Sequence, residues 1–188
     1  MSTPQRRAWF RITVVLLCLL IPRPAQAQSS TDYPTDPILR PETGMHTAPV
    51  KRIDVDREER FLVSGSDDKT VRIWDLASGR LLRTLRVPLS EGHLGKVYAV
   101  AISPDGSTVA VGGSTGKTSG SELIYIFDRA TGGLRHRIEG LPDVINHFAY
   151  APDSRHLAAV FGGANGLRVY ETGMYHEVAR DTAYGDDT

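Results

Sequence analysis

Residues Ser64 to Asp75 read SGSDDKTVRIWD. Asp67-Asp68-Lys69 is turn chemistry, because Asp side chains hydrogen-bond their own backbone and favour tight reversals. The segment Thr70 to Trp74 alternates, with Val71 and Ile73 on one side, and is rich in β-branched and aromatic residues, as a strand requires. Upstream, Phe61-Leu62-Val63-Ser64 is a second strand. Downstream, Ala77-Ser78-Gly79 turns the chain and Leu81 to Leu85 resumes it. The stretch is thus the centre of an antiparallel meander.

The same grammar recurs twice. PDGSTVAVGG is followed by a long turn and LIYIFDRATGGLRHRI. Then comes PDSRHLAAVFGGANGLRVYETGMYHEV. Each copy runs strand, Gly/Asp turn, strand ending in an aromatic-acid pair, Gly-containing turn, strand. The pairs are Trp74-Asp75, Phe127-Asp128 and Tyr170-Glu171, spaced 53 and 43 positions apart. A four-stranded propeller blade takes roughly 40–45 residues. The first spacing exceeds that by about the length of the loop 112–120. Lys96 to Ser103 (KVYAVAIS) adds an alternating strand before the turn Pro104-Asp105-Gly106, and Leu123 to Phe127 is a continuous apolar run suited to burial on both faces. No segment after Gly44 holds a 3.6-residue apolar period over three turns, so the expected class is all-β.

These residues resemble the WD-repeat (WD40) β-propeller family. Gly44-Met45-His46 sits where that family's Gly-His opens a repeat, with one extra residue between, and Gly92-His93 matches it directly. The resemblance implies a buried hydrogen-bonded set of His46, Ser64, Asp68 and Trp74, whose polar atoms must be satisfied inside a blade. Val111 and Ala159 replace Ser64, and Phe127 and Tyr170 replace Trp74, so the set is expected to be complete in one blade only. The implied architecture is a partial propeller of about three four-stranded blades. The repeats fall near 44–88, 89–139 and 140–180, and the last residues begin a further blade. IYIFDRATG, LPDVINHFAYAPDSRHLA and VARDTAYGDD resemble bacterial exported WD-repeat proteins, some of which are joined to a caspase-like peptidase domain; no such domain is present in these 188 residues.

The amino terminus has a different character. Arg6, Arg7 and Arg11 precede the apolar run Ile12 to Ile21, Pro22 and Pro24 end it, and Ala25-Gln26-Ala27 is a small-x-small site before Gln28. This is the pattern of a signal peptide over 1–27 cleaved between Ala27 and Gln28. Ten apolar residues fall short of the roughly 20 that span a bilayer, so no membrane span is expected after its removal. The expected location is the periplasm or the exterior. Residues 28–43, with Pro34, Pro37 and Pro41, read as a linker.

The chain carries 22 Lys+Arg and 22 Asp+Glu. Segment 1–27 holds four Arg and no acid, which leaves 18 basic and 22 acidic residues beyond it, a net −4. No global field favours nucleic acid, and the few aromatics give no stacking platform for single strands. The one cysteine, Cys18, lies within the apolar run, so the processed chain has no thiol for a disulfide, a zinc site or a nucleophile.

Gly112 to Gly120, GGSTGKTSG, contains the G-K-T that ends a phosphate-binding loop. That loop needs G-x4-G-K-[ST] between a strand and a helix. Here Gly112 leaves three residues before Gly116, and the strand LIYIFD follows instead of a helix. The reading adopted is a lengthened turn. His46, His93, His136, His147, His156 and His176 show no metal-ligand spacing, and Asp67-Asp68 and Asp186-Asp187 lack the periodic ligands of a calcium loop. No catalytic residue, metal or cofactor is expected. The expected role is a protein-interaction scaffold for a partner not written in the sequence, cut from a longer propeller, closing its ring with other copies of itself, or standing as an open arc of marginal stability. The alternatives are the regulatory part of a caspase-like peptidase and a gene remnant without function.

Overall fold

In the computed structural model, residues 43–118 and 120–182 are described. The signal segment 1–27, its cleavage site at Ala27 and Gln28, linker residues 28–42 and the start of a further blade at 183–188 lie outside them.

Twelve strands form three separate four-stranded antiparallel sheets. Blade 1 comprises β1 (Val50–Val55), β2 (Phe61–Ser66), β3 (Thr70–Asp75) and β4 (Leu81–Arg86). Blade 2 comprises β5 (Val97–Ile102), β6 (Thr108–Gly113), β7 (Glu122–Asp128) and β8 (Leu134–Leu141). Blade 3 comprises β9 (Ile145–Tyr150), β10 (His156–Phe161), β11 (Leu167–Glu171) and β12 (Glu177–Asp181). In each, neighbours in sequence are neighbours in the sheet. No helix occurs among the described residues, and none there is long and apolar enough to cross a membrane. The architecture is all-β and that of a partial propeller.

Side chains alternate across a strand, so each blade has two faces. Val63, Val71 and Ile73 of blade 1 meet Val109, Val111, Tyr125 and Phe127 of blade 2 in one apolar cluster. The opposite face of blade 2, with Ala110, Ile124 and Ile126, meets Phe148, Leu157, Ala159 and Tyr170 of blade 3 in another. Blade 2 is therefore covered on both sides, which is why LIYIF is apolar without interruption.

The ladder pairings superpose the repeats. Ser64 pairs with Arg72, and Val111 with Tyr125, so Gly65 corresponds to Gly112. A match of GSTGKT (113–118) to GSDDKT (65–70) by composition would place Gly113 there, and the ladders do not support it. A Cβ on Gly65 would come within 2.7 Å of Val97 and Val100, and one on Gly112 within 2.8 Å of Phe148 and 2.9 Å of Ile145. Both glycines let the inner strand of the following blade approach. The inner strands also join across the arc. Asp54 accepts a hydrogen bond from the Ile102 N–H at 2.9 Å, and Arg52 reaches the Asn146 carbonyl at 3.4 Å.

Candidate functional site

The segment 43–49 runs beside the β2–β3 turn and brings His46 into blade 1. The Trp74 indole N–H donates to Ser64 Oγ at 2.9 Å. Ser64 Oγ lies 2.8 Å from His46 Nε2, and His46 Nδ1 lies 2.8 Å from Asp68 Oδ2. A carboxylate only accepts, so Nδ1 carries the proton and Nε2 accepts from the serine. The same carboxylate takes the Thr47 N–H at 3.0 Å, the Thr70 N–H at 2.9 Å and the Thr70 hydroxyl at 2.6 Å. Burial pushes the Asp68 carboxyl up, but the hydrogen bonds from Thr70, His46 and Thr47 outweigh it, and its pKa lies below the ordinary carboxylate value. Sequence-distant segments are thus tied by one carboxylate.

Serine, histidine and aspartate in this order have the connectivity of a hydrolytic triad. The surroundings point to structure instead. Ser64 is 4% exposed and its oxygen already accepts the indole N–H. A nucleophile needs that oxygen free and a substrate within reach of it.

The sister blades hold no equivalent set. Val111 and Ala159 are fully buried apolar residues packed against the neighbouring blade, and His93 is exposed. The aromatic-acid pairs behave alike in all three blades. Asp75 accepts from the Ser78 N–H at 2.8 Å and hydroxyl at 2.6 Å, and Asp128 from the Thr131 N–H at 2.7 Å and hydroxyl at 2.9 Å. Glu171 accepts from the Gly173 N–H at 2.7 Å and the Met174 N–H at 3.1 Å. Each acid closes the turn between the third and fourth strands. Each carboxyl is held below its ordinary pKa: Asp75 by the Ser78 hydroxyl and N–H, Asp128 by the Thr131 N–H and then Arg135, and Glu171 by the two turn amides.

The loop after β6 has a feature that spacing did not reveal. Glu122, 5% exposed, points back into the loop. Its Oε2 accepts from the N–H groups of Thr115 at 2.6 Å and Gly116 at 2.5 Å, and from the Thr115 hydroxyl at 3.1 Å. A carboxylate of the protein fills the place an anion would take, so the amides are not available to a phosphate. The signal for this was a single acid, Glu122, at the start of an otherwise apolar run. Among the described residues no group of three or more His, Cys, Asp or Glu is placed to hold a metal ion.

Residues 42–75 and 79–119 match the family model described as WD domain, G-beta repeat. Over 98 residues, 52% of this chain, the sequence is 35% identical to the small ribosomal subunit protein RACK1y of Oryza sativa subsp. japonica. Over 40 residues, 21% of this chain, it is 52% identical to the ribosome biogenesis protein BOP1 homolog of Drosophila erecta and of Drosophila melanogaster. The matches cover 26% of the first relative and 5% of the others. Residues 42–75 and 79–119 are thus similar to WD repeats, and the three four-stranded antiparallel sheets are consistent with a partial WD40-type propeller.

Proposed function

We propose that this chain is an exported WD-repeat protein that serves as a protein-interaction scaffold. The observation that supports it best is the state of the two outer faces of the arc. On blade 1, Ile53 is 59% and Val55 42% exposed, beside half-buried Leu62 and Trp74. On blade 3, Ala158, Leu167 and Val169 occupy the positions of Val63, Val71 and Ile73, yet remain half-buried where the latter are fully covered. Repeat register makes these side chains apolar, while no neighbouring blade among the described residues covers them. Contiguous apolar surface of this kind marks a site of protein contact.

In the working protein these faces are covered by further blades, from a longer chain or from other copies. Val160 favours the first source. It stands where Gly65 and Gly112 stand, so a second copy packed like an internal blade would drive its Val50 and Ile53 against a side chain. Light scattering on the purified full chain, with circular dichroism on the same peak, tests the proposal. The expected product is β-rich and self-associating, either aggregated or a defined oligomer that closes its own ring. A folded, monodisperse monomer at high concentration would refute the idea that the faces need cover.

Export rests on Arg6, Arg7, Arg11, the run Ile12 to Ile21 and the site before Gln28. Expressed in a bacterial host with secretion machinery, the chain is expected in the periplasm with Gln28 as its first residue, as read by intact mass. An unprocessed cytoplasmic product would overturn this part.

A further inference from the structure

Pairing registers put Phe61 and Thr108 at one repeat position, Arg129 and Thr172 at a second, and Gly132 and Tyr175 at a third. At the junction of blades 1 and 2 these positions are filled. The Arg129 guanidinium lies 3.8 Å from the centre of the Phe61 ring, and Arg83 crosses Gly132 to donate to the Ala130 carbonyl at 2.6 Å. At the junction of blades 2 and 3, Thr108 stands for Phe61 and Thr172 for Arg129. Both large groups are missing, and a cleft of about 270 Å³ is open there. Its volume lies just under the ~300–1,000 Å³ of ordinary small-molecule pockets.

Tyr175 is the second anomaly. Its φ is 57°, in the left-handed region, where Gly79 and Gly132 hold φ of 69° and 76°. A side chain is strained there, and such strain persists where surrounding contacts hold it and gathers at binding sites. The contacts are visible. The Tyr175 ring stacks on His136 with centroids 5.2 Å apart, and its hydroxyl joins those of Tyr150 and Thr108, which are 3.3 Å from each other.

Charge selects the ligand. Arg135 at the rim is already paired with Asp128 through Nε at 3.1 Å. Asp105 Oδ1 accepts from the Ser103 hydroxyl at 2.5 Å and the Ser107 N–H at 2.9 Å, and the residue lines the cleft. An anion would meet a carboxylate and a neutralised guanidinium. The Thr172 hydroxyl already donates to the Ser154 carbonyl at 2.7 Å and is left to accept, while the hydroxyls of Ser107 and Thr108 can turn to donate or accept; together with the Asp105 acceptor this suits a neutral partner that both donates and accepts. We propose that the cleft between blades 2 and 3 binds a neutral sugar ring, with Asp105 and these hydroxyls as hydrogen-bond partners and the Tyr175–His136 stack against its C–H face.

A free monosaccharide and the terminal ring of a glycan present the same chemistry. Saturation-transfer NMR on the full chain tests both, and it tolerates a self-associating protein. The probes are methyl β-D-glucopyranoside, methyl α-D-mannopyranoside, N-acetylglucosamine and cellotetraose, with inorganic phosphate as the anionic comparison. Saturable binding with a millimolar Kd is expected for at least one sugar, in the range of a small ligand with few contacts. Equal affinity for the methyl glucoside and the tetraose would identify a single ring as the ligand, and tighter tetraose binding a chain end that continues past the cleft. Tyr175→Gly restores the residue of the sister repeats and relieves the left-handed strain, so the fold is retained while affinity falls about tenfold or more. The double change Thr108→Phe and Thr172→Arg fills the cleft as at the other junction and abolishes binding. The proposal fails if no sugar gives saturable signal up to ~50 mM, well above such a Kd, if phosphate binds more tightly, or if both variants bind as the parent does.

Discussion

Asp68→Ala is expected to destabilise the protein by about 3 kcal/mol, with the damage confined to blade 1. The substitution strips the acceptor from His46, Thr47 and Thr70 at once, and buried donors left unpaired cost about 1–3 kcal/mol each before relaxation. Hydrogen exchange is the decisive readout. Protection should fall in β1 to β3 and persist in β9 to β11, because coupling between repeats passes through neighbouring interfaces. A loss spread evenly over three blades, or one below about 1 kcal/mol by urea denaturation, would contradict this role. Asp68→Asn keeps one acceptor oxygen and should fall between the parent and the alanine variant. The effect also has a pH sign. A carboxyl whose folded pKa is depressed contributes stability above its ordinary value near ~4, and the contribution is lost as pH falls through the folded value. The gap between parent and Asp68→Ala should therefore be widest near neutrality and narrow in acid.

Gly112→Val is expected to be of similar size, about 3 kcal/mol, by a different route. Its side chain would occupy space held by Phe148 and Ile145, both buried in the cluster between blades 2 and 3. Overpacking a filled core costs about 1–3 kcal/mol, and Cβ contacts below 3 Å against a β-branched carbon lie at the upper end. Gly112→Ala should show the smaller half of the effect. Val160→Ala, at the corresponding position of the outer blade, removes two methyls from a half-buried face and should cost under ~1 kcal/mol. Equal costs at 112 and 160 in urea titrations would mean that the outer face of blade 3 is packed as tightly in solution as a face between two blades.

Much of the fold was legible in the residues. TVRIWD, LIYIFD and LRVYE alternate or run apolar as strands must, and the acids that end them reappear in the structure as turn caps. The inner strands β1 and β9 were not legible. VKRIDV and INHFAY mix charged and apolar residues because part of each faces the inner side of the arc, and pairing with β2 and β10 is what makes them strands. Gly92-His93 looked as good an opening as Gly44-Met45-His46, yet His93 is exposed. A histidine enters a blade where a serine and an aspartate await it, and blade 2 offers Val111 in place of the serine. Spacing alone argues against a phosphate site at Gly116-Lys117-Thr118; the inward Glu122 carboxylate that occupies its amides is visible only in the tertiary structure.

The sequence by itself determined strand, turn and repeat, because these follow from side-chain periodicity and local backbone chemistry within a few residues. The tertiary structure decided which faces are covered, which glycines bear a neighbour and where a cleft remains. Those outcomes depend on residues one blade away, as Gly112 does on Phe148 and the cleft on Thr108 with Thr172, and no local pattern encodes a partner at that separation.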